Sequence, residues 1–145
     1  MKINEDCIRD ILGYLIENLT IKADETKFAY AKIDTLQIIN NLSLTSYSKE
    51  DIVYSIHILA ELQFINGDNL MQHSPTSYTR QTIYNVTYRG QRFYETIRPE
   101  STWEKTKGVI NTIGVHTLEF IESIAHDMVV ESAKEATAII VNKHI

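Results

Sequence analysis

Few residues in this chain are spaced so that they could do covalent or metal chemistry. Glu119, Glu122 and His126 fall on one helical face at spacings of three and four, a pattern that can hold a metal ion. No second histidine stands at ligand spacing and no cysteine partners them. The group therefore reads as the polar face of an amphipathic helix, and no metal or cofactor is expected. Serines and threonines are plentiful, but none sits in a nucleophile-elbow glycine motif. Neither a phosphate-binding loop nor a dinucleotide glycine fingerprint is present. Gly90 reads as a structural glycine near a helix start. The lone cysteine, Cys7, shares an apolar stripe with Ile8, Ile11 and Leu15, so it reads as a small core residue, not a reactive thiol. The expectation is a protein that is not an enzyme.

Two groups of residues are better suited to binding. The segment Ser48–Gln63 has helical spacing, and the face opposite its apolar stripe carries Glu50, Tyr54, His57 and Glu61. A helix that reads bases usually offers Arg, Lys, Asn or Gln there. Lys49 is the only base in this helix, and two glutamates near phosphates would oppose binding. The second group is Arg80, Arg89, Arg92, Arg98, Lys105 and Lys107, interleaved with Glu95, Glu100 and Glu104 and with Tyr78, Tyr84, Tyr88 and Tyr94. Arginine with tyrosine suits phosphate and base-stacking contacts, and it equally suits a protein interface or a solvated surface. Tyr54, His57, Glu61, Tyr84 and Arg89 are the candidate contacts to a protein partner. Arg80, Arg89, Arg92, Lys105 and Lys107 are the candidate contacts to nucleic-acid phosphates.

The elements that must carry these residues are mostly helical. Asn4 caps a first helix reaching about Asn18, with Ile8, Ile11, Leu12, Leu15, Ile16 and Leu19 at helical spacing. Thr20–Thr26 reads as a loop and Phe28–Ile33 as a short strand. Asp34 or Thr35 starts a second helix, which ends near Leu42 and is followed by a turn. Ser48 with Asp51 makes a capping box for the next helix, whose buried face should be Ile52, Val53, Ile56, Leu59, Ala60 and Leu62. Asn66–Asn69 is a turn signal. Leu70–His73 and Gln81–Thr87 are the expected strands of a β-wing, with Ser74–Arg80 as its polar tip. Pro75 suits a tip because proline cannot donate to a strand ladder. Thr87 caps a helix to about Ile97. Pro99-Glu100 punctuates the chain, Ser101 with Glu104 makes another capping box, and Gly108 and Gly114 suggest a break. The fold class expected is mainly α (α+β): a winged helix-turn-helix with a small antiparallel β-wing over residues 1–98, and a long helical extension over 99–145.

That extension carries a stripe of Leu118, Ile121, Ala125, Met128, Val129, Ala133, Ala136 and Ile140. One helix cannot bury such a stripe alone. Self-association, as a homodimer or larger oligomer, is favoured over packing back on the domain. Membrane-surface binding is disfavoured, because the polar face is mainly acidic.

The bulk numbers agree with a globular chain. Its 145 residues are 43% hydrophobic, with two prolines and five glycines. The net charge of −5 argues against a basic nucleic-acid binder without excluding a local patch. The N-terminal MKINEDCIRD lacks a signal-type apolar run, and no stretch approaches the roughly 18 apolar residues of a membrane span. A soluble cytoplasmic protein is expected.

The segments Asn4–Leu12, Tyr47–Ile56 with Leu59–Ile65, and Asn85–Arg98 resemble a family of uncharacterised bacterial and phage-encoded winged-helix proteins, catalogued as a domain of unknown function. Trp103–Lys107 and the tail after it are similar to the C-terminal part of that family. The resemblance implies a fold, a bacterial or phage context in a bacterial host cell, and no established activity. The chain departs from the family in a longer wing, Gln72–Arg80. Two functions are consistent with these residues. The first is a non-enzymatic interaction protein that binds a protein partner, such as a host factor, through the winged-helix surface. The second is a dimeric winged-helix DNA-binding regulator.

Overall fold

The structure, a computed structural model, describes residues 1–72 and 77–143. Its compact units are Met1–Tyr94 and Glu95–Ile145, dividing four residues before the boundary expected at Arg98 and inside a helix.

In the first unit, α1 (Glu5–Asn18) is capped as its sequence requires: the Asn4 side chain accepts from the Cys7 amide at 3.1 Å, with Glu5 and Asp6 in the positive first turn. Cys7, Ile8, Ile11, Leu12 and Leu15 are buried. Next come β1 (Ile21–Ala23) and β2 (Phe28–Tyr30), an antiparallel pair where the sequence suggested a loop and one short strand. Strand β3 (Ile33–Asp34) leads into α2 (Thr35–Ile39), where Asp34 and Gln37 form a reciprocal capping box. A 3₁₀ turn at Leu42–Leu44 connects it to α3 (Lys49–Glu61), capped by Ser48. The face α3 buries is Ile52, Ser55, Ile56 and Leu59. Val53, Ala60 and Leu62 are only half-buried; the stripe is narrower than its apolar residues suggest. Helix α3 packs on α1 and α2.

Two strands follow, β4 (Ile65–Asp68) and β5 (Thr82–Val86), and the sheet order is β3-β5-β4, all antiparallel. The first of these strands lies earlier than Leu70–His73. Asn66-Gly67-Asp68, which reads locally as a turn, is strand, with a bulge at Asn66/Gly67. Gly67 lies so close to β5 that a Cβ there would stand 2.0 Å from the Thr82 carbonyl oxygen. Pairing with β5 therefore overrides local turn chemistry, and the turn moves to Asn69, whose φ is 63°. Leu70 and Met71 are turn, while His73–Thr76, the last residue of the expected strand and the start of the expected wing tip, lie outside the described residues. Helix α4 (Tyr88–Ile97) begins where expected. Thr87 Oγ1 accepts from the Gly90 amide at 3.1 Å and donates to the Gln63 carbonyl at 2.6 Å.

In the second unit, α5 (Glu100–Ile113) starts at Pro99, not at a Ser101 cap. Proline's fixed φ, −64° here, is already compatible with a helix start, and its missing N–H loses nothing there. The helix runs through Gly108 and ends at Gly114, which takes the left-handed conformation at φ 83°. Helix α6 (Leu118–Lys143) packs back against α5. Among the described residues, no helix is long and apolar enough to cross a membrane.

A candidate partner-binding face

The first unit is built around α1, α3 and the three-stranded sheet, and the β1–β2 ribbon stands outside this core. All six ribbon residues are exposed. The register pairs Ile21 with Tyr30 and Ala23 with Phe28, so these four side chains share one face; Lys22 and Ala29 take the other. The ribbon's turn is set by Asp24, whose carboxylate accepts from the Thr26 amide at 2.8 Å and the Lys27 amide at 2.9 Å. Those amides hold its carboxyl below the usual aspartate range. Phe28 and Tyr30 meet edge to face with ring centroids 6.0 Å apart. Yet Phe28 is 65% exposed, Ile21 59% and Tyr30 43%. A two-stranded ribbon is marginal in water without something covering a face, so this apolar side is an unusual feature to leave in solvent.

At the ribbon's base is a cleft of about 250 Å³. Leu15, Ile16 and Leu19 of α1 and Val86 of β5 supply apolar lining. Ile21 and Tyr30 come from the ribbon, Tyr84 and Asn85 from β5, and Gln91 from α4. The Tyr84 hydroxyl donates to the Asp68 carboxylate, and the Lys32 ammonium lies 5.0 Å from the centre of the Tyr84 ring. An apolar hollow with two tyrosines and two amides at its edge is suited to seating a bulky side chain and orienting it by hydrogen bonds.

The other candidate residues occupy separate places. Tyr54 and His57 on α3 are half-buried and Glu61 is exposed. The His57 Nε2 lies 3.7 Å from the Glu61 carboxylate, one turn along the same face. Arg89 has an internal role: its guanidinium donates to the Leu62 carbonyl at 2.8 Å and lies 4.6 Å over the Phe64 ring, closing the C-terminal end of α3. Arg92 is exposed beside Tyr88, 5.7 Å from its ring. Arg80 is exposed in a turn, its amide bonded to the Ser77 carbonyl. In the second unit, Lys105 is exposed, while Lys107 pairs with Glu104 at 3.3 Å and lies 5.7 Å from the Trp103 ring. Within the first unit, then, the candidate arginines Arg80, Arg89 and Arg92 go to three different local settings. Among the described residues no group of His, Cys, Asp or Glu is arranged to hold a metal ion.

The family described as "Hypothetical protein (DUF2513)" matches residues 2–116. The chain belongs to this family. It is a family of unknown function, so membership assigns no chemistry to the cleft. No curated protein matches the chain, and no solved structure does. The matched residues take in the ribbon, the cleft, the sheet and α5, and stop one residue short of α6.

Helix α6 divides along its length. Of the expected stripe, Leu118, Ile121 and Ala125 are buried and Met128 is half-buried. Val129, Ala133, Ala136 and Ile140 are exposed, and so is Ile139, which lies on the same side. Sequence reasoning found this stripe but missed Ile21, Phe28 and Tyr30. The available signal was the alternation in Phe28-Ala29-Tyr30 after an Asp-containing turn, which marks a hairpin when read together with Ile21-Lys22-Ala23.

Proposed function

We propose that this protein is a non-enzymatic interaction module of phage or prophage type, acting in the bacterial cytoplasm. Its first unit is a winged helix, with α1, β3, α2, α3, β4 and β5 as the elements. It binds a protein partner, and the binding face is the apolar side of the β1–β2 ribbon together with the cleft at its base. It self-associates through α6.

The observation that carries the reading is the exposure of Ile21, Phe28 and Tyr30 beside a cleft lined by Tyr84. Aromatic anchors next to an apolar pocket are the residues that dominate protein–protein binding energy. Resemblance to bacterial and phage-encoded proteins supports the context. The exposed end of the α6 stripe supports self-association.

A dimeric DNA-binding regulator is the competing function. Against it stand Glu50 and Glu61 on the outer face of α3, and the use of the Arg89 guanidinium inside the fold. A direct comparison separates the two. Wild type and a Phe28→Ser/Tyr30→Ser variant are used as bait in host lysate, and both are titrated with duplex DNA at low salt. The expected result is a protein retained by wild type and lost with the variant, with no duplex binding by either. Equal retention by both baits, or tight duplex binding, overturns the reading.

A further inference from the structure

We infer that two copies of this chain pair through the distal halves of their α6 helices in antiparallel orientation, with residues 126–143 of one lying against the same residues of its partner. This rests on the self-association reading and specifies its geometry.

The inference starts from lengths. Helix α5 has 14 residues and spans about 21 Å, whereas α6 has 26 and spans about 39 Å. Helix α5 packs along α6, and the stripe is buried at Leu118, Ile121 and Ala125. Beyond Ala125 the same stripe continues in phase through Val129, Ala133, Ala136 and Ile140 with no cover: Val129 is 38% exposed and Ile140 57%. At about 100° per residue, the side of the helix carrying Val129, Ser132, Ala133, Ala136, Thr137, Ile139 and Ile140 holds no charge between positions 127 and 142, while Asp127, Glu131, Lys134 and Glu135 lie on the opposite side and Lys143 joins the stripe only at its end. An uncharged side that prolongs a buried helix–helix seam requires another helix of the same character, and a second α6 has it.

Continuity with that seam also sets the direction. In a parallel pair both α5 helices would lie between the two α6 helices along their first halves. The α6 axes would stand about 24–30 Å apart there and about 8–10 Å apart beyond, which straight helices do not allow. In an antiparallel pair the partner's distal α6 follows α5 end to end along one face. The partner's last turn, with Lys143, then arrives at the start of α5, where Glu100 sits, so a negative helix end meets a positive one. Overlap over 126–143 puts Val129 opposite Ile140 of the partner subunit. The centre of the pair is then occupied by Ala133 and Ala136, whose small side chains allow close approach.

Orientation and association are read separately by mass and by cross-linking. Full-length Val129→Cys and Ile140→Cys chains are prepared with Cys7 retained, since that thiol is buried. Mass is measured by sedimentation before oxidation. The expected result is a dimer that forms a disulfide only when the two variants are mixed, because each cysteine alone would lie about 16 Å from its own copy. A dimer in which each variant cross-links with itself is parallel and overturns the inference while leaving self-association standing. A dimer with no cross-link in any combination overturns it too, placing the contact elsewhere. A monomer removes self-association itself.

Discussion

The Asn4 side-chain amide donates to the Asp51 carboxylate at 3.1 Å, tying the N-terminal end of α1 to the first turn of α3. The same side chain uses its oxygen to cap α1. One residue thus serves as a local helix start and as a contact across 47 positions of sequence. Asn4→Ala should lose both, destabilising the protein by about 1–3 kcal/mol in urea denaturation. Asn4→Asp keeps an acceptor for the Cys7 amide but sets a carboxylate against Asp51. It should fall between wild type and Asn4→Ala at high salt and approach Asn4→Ala at low salt. Equal stability of all three chains would mean the cap and the tie contribute nothing.

Burial pushes the Cys7 thiol up to about 11, with Asp51 and Asp10 nearby adding to the rise and a hydrogen bond with Ser55 opposing it. A group whose folded pKa is raised contributes stability that is intact below its unfolded value and lost as pH rises through the folded one. The denaturation midpoint should therefore decline between about pH 9 and 11. Tyr47, raised by burial and by donating to Asp10, adds to the decline at still higher pH. Cys7→Ala should flatten the pH 9–11 part of the decline. At pH 8 the wild-type thiol should react with a disulfide reagent only as fast as the chain opens.

Two glycines make opposite predictions for the same substitution. A Cβ on Gly90 would stand 2.2 Å from the Phe64 carbonyl oxygen and 2.6 Å from Val86 Cγ1, where α4 meets the start of β4. Gly90→Ala should cost about 2–3 kcal/mol and lower Tm by several degrees. A Cβ on Gly108, inside α5, would meet nothing within 4 Å. Gly108→Ala should raise stability by about 0.5–1 kcal/mol, since alanine restricts the unfolded chain and favours the helix. Thermal melts of the two variants should shift in opposite directions.

Thr35 is fully buried, and its hydroxyl oxygen makes no hydrogen bond among the described residues. Its amide bonds the Gln81 carbonyl at 3.0 Å, a contact that does not need the side chain. Thr35→Val replaces the hydroxyl by a methyl of similar shape and should stabilise by about 1 kcal/mol in denaturant titrations. A loss of stability instead would show that the hydroxyl is satisfied in solution.

Much of the first unit was legible because its signals are local. Asn4, Asp34, Ser48 and Thr87 start helices or cap them through bonds to their own next few residues, and those bonds form wherever the chain lies. The 3.6-residue stripes of α1 and α3 likewise needed no partner to be read. What failed depended on distant strands. Asn66-Gly67-Asp68 looks like a turn until β5 lies beside it, and Ile21–Ala23 looks like a loop until Phe28–Tyr30 pairs with it. The candidate site split along the same line. Tyr84 was named, but its cleft needs side chains from α1, the ribbon and α4.

By itself, then, the sequence determined the helices of the first unit, their caps and the phase of the α6 stripe, because these depend on spacing along one stretch of chain, whereas the start of α5 fell to Pro99 and not to Ser101. Tertiary structure alone decided that the Arg89 guanidinium faces inward to Leu62, that the ribbon's apolar side faces solvent, and that the α6 stripe is buried only as far as Ala125. Each of those depends on which surfaces meet across the fold, and residue spacing carries no information about that.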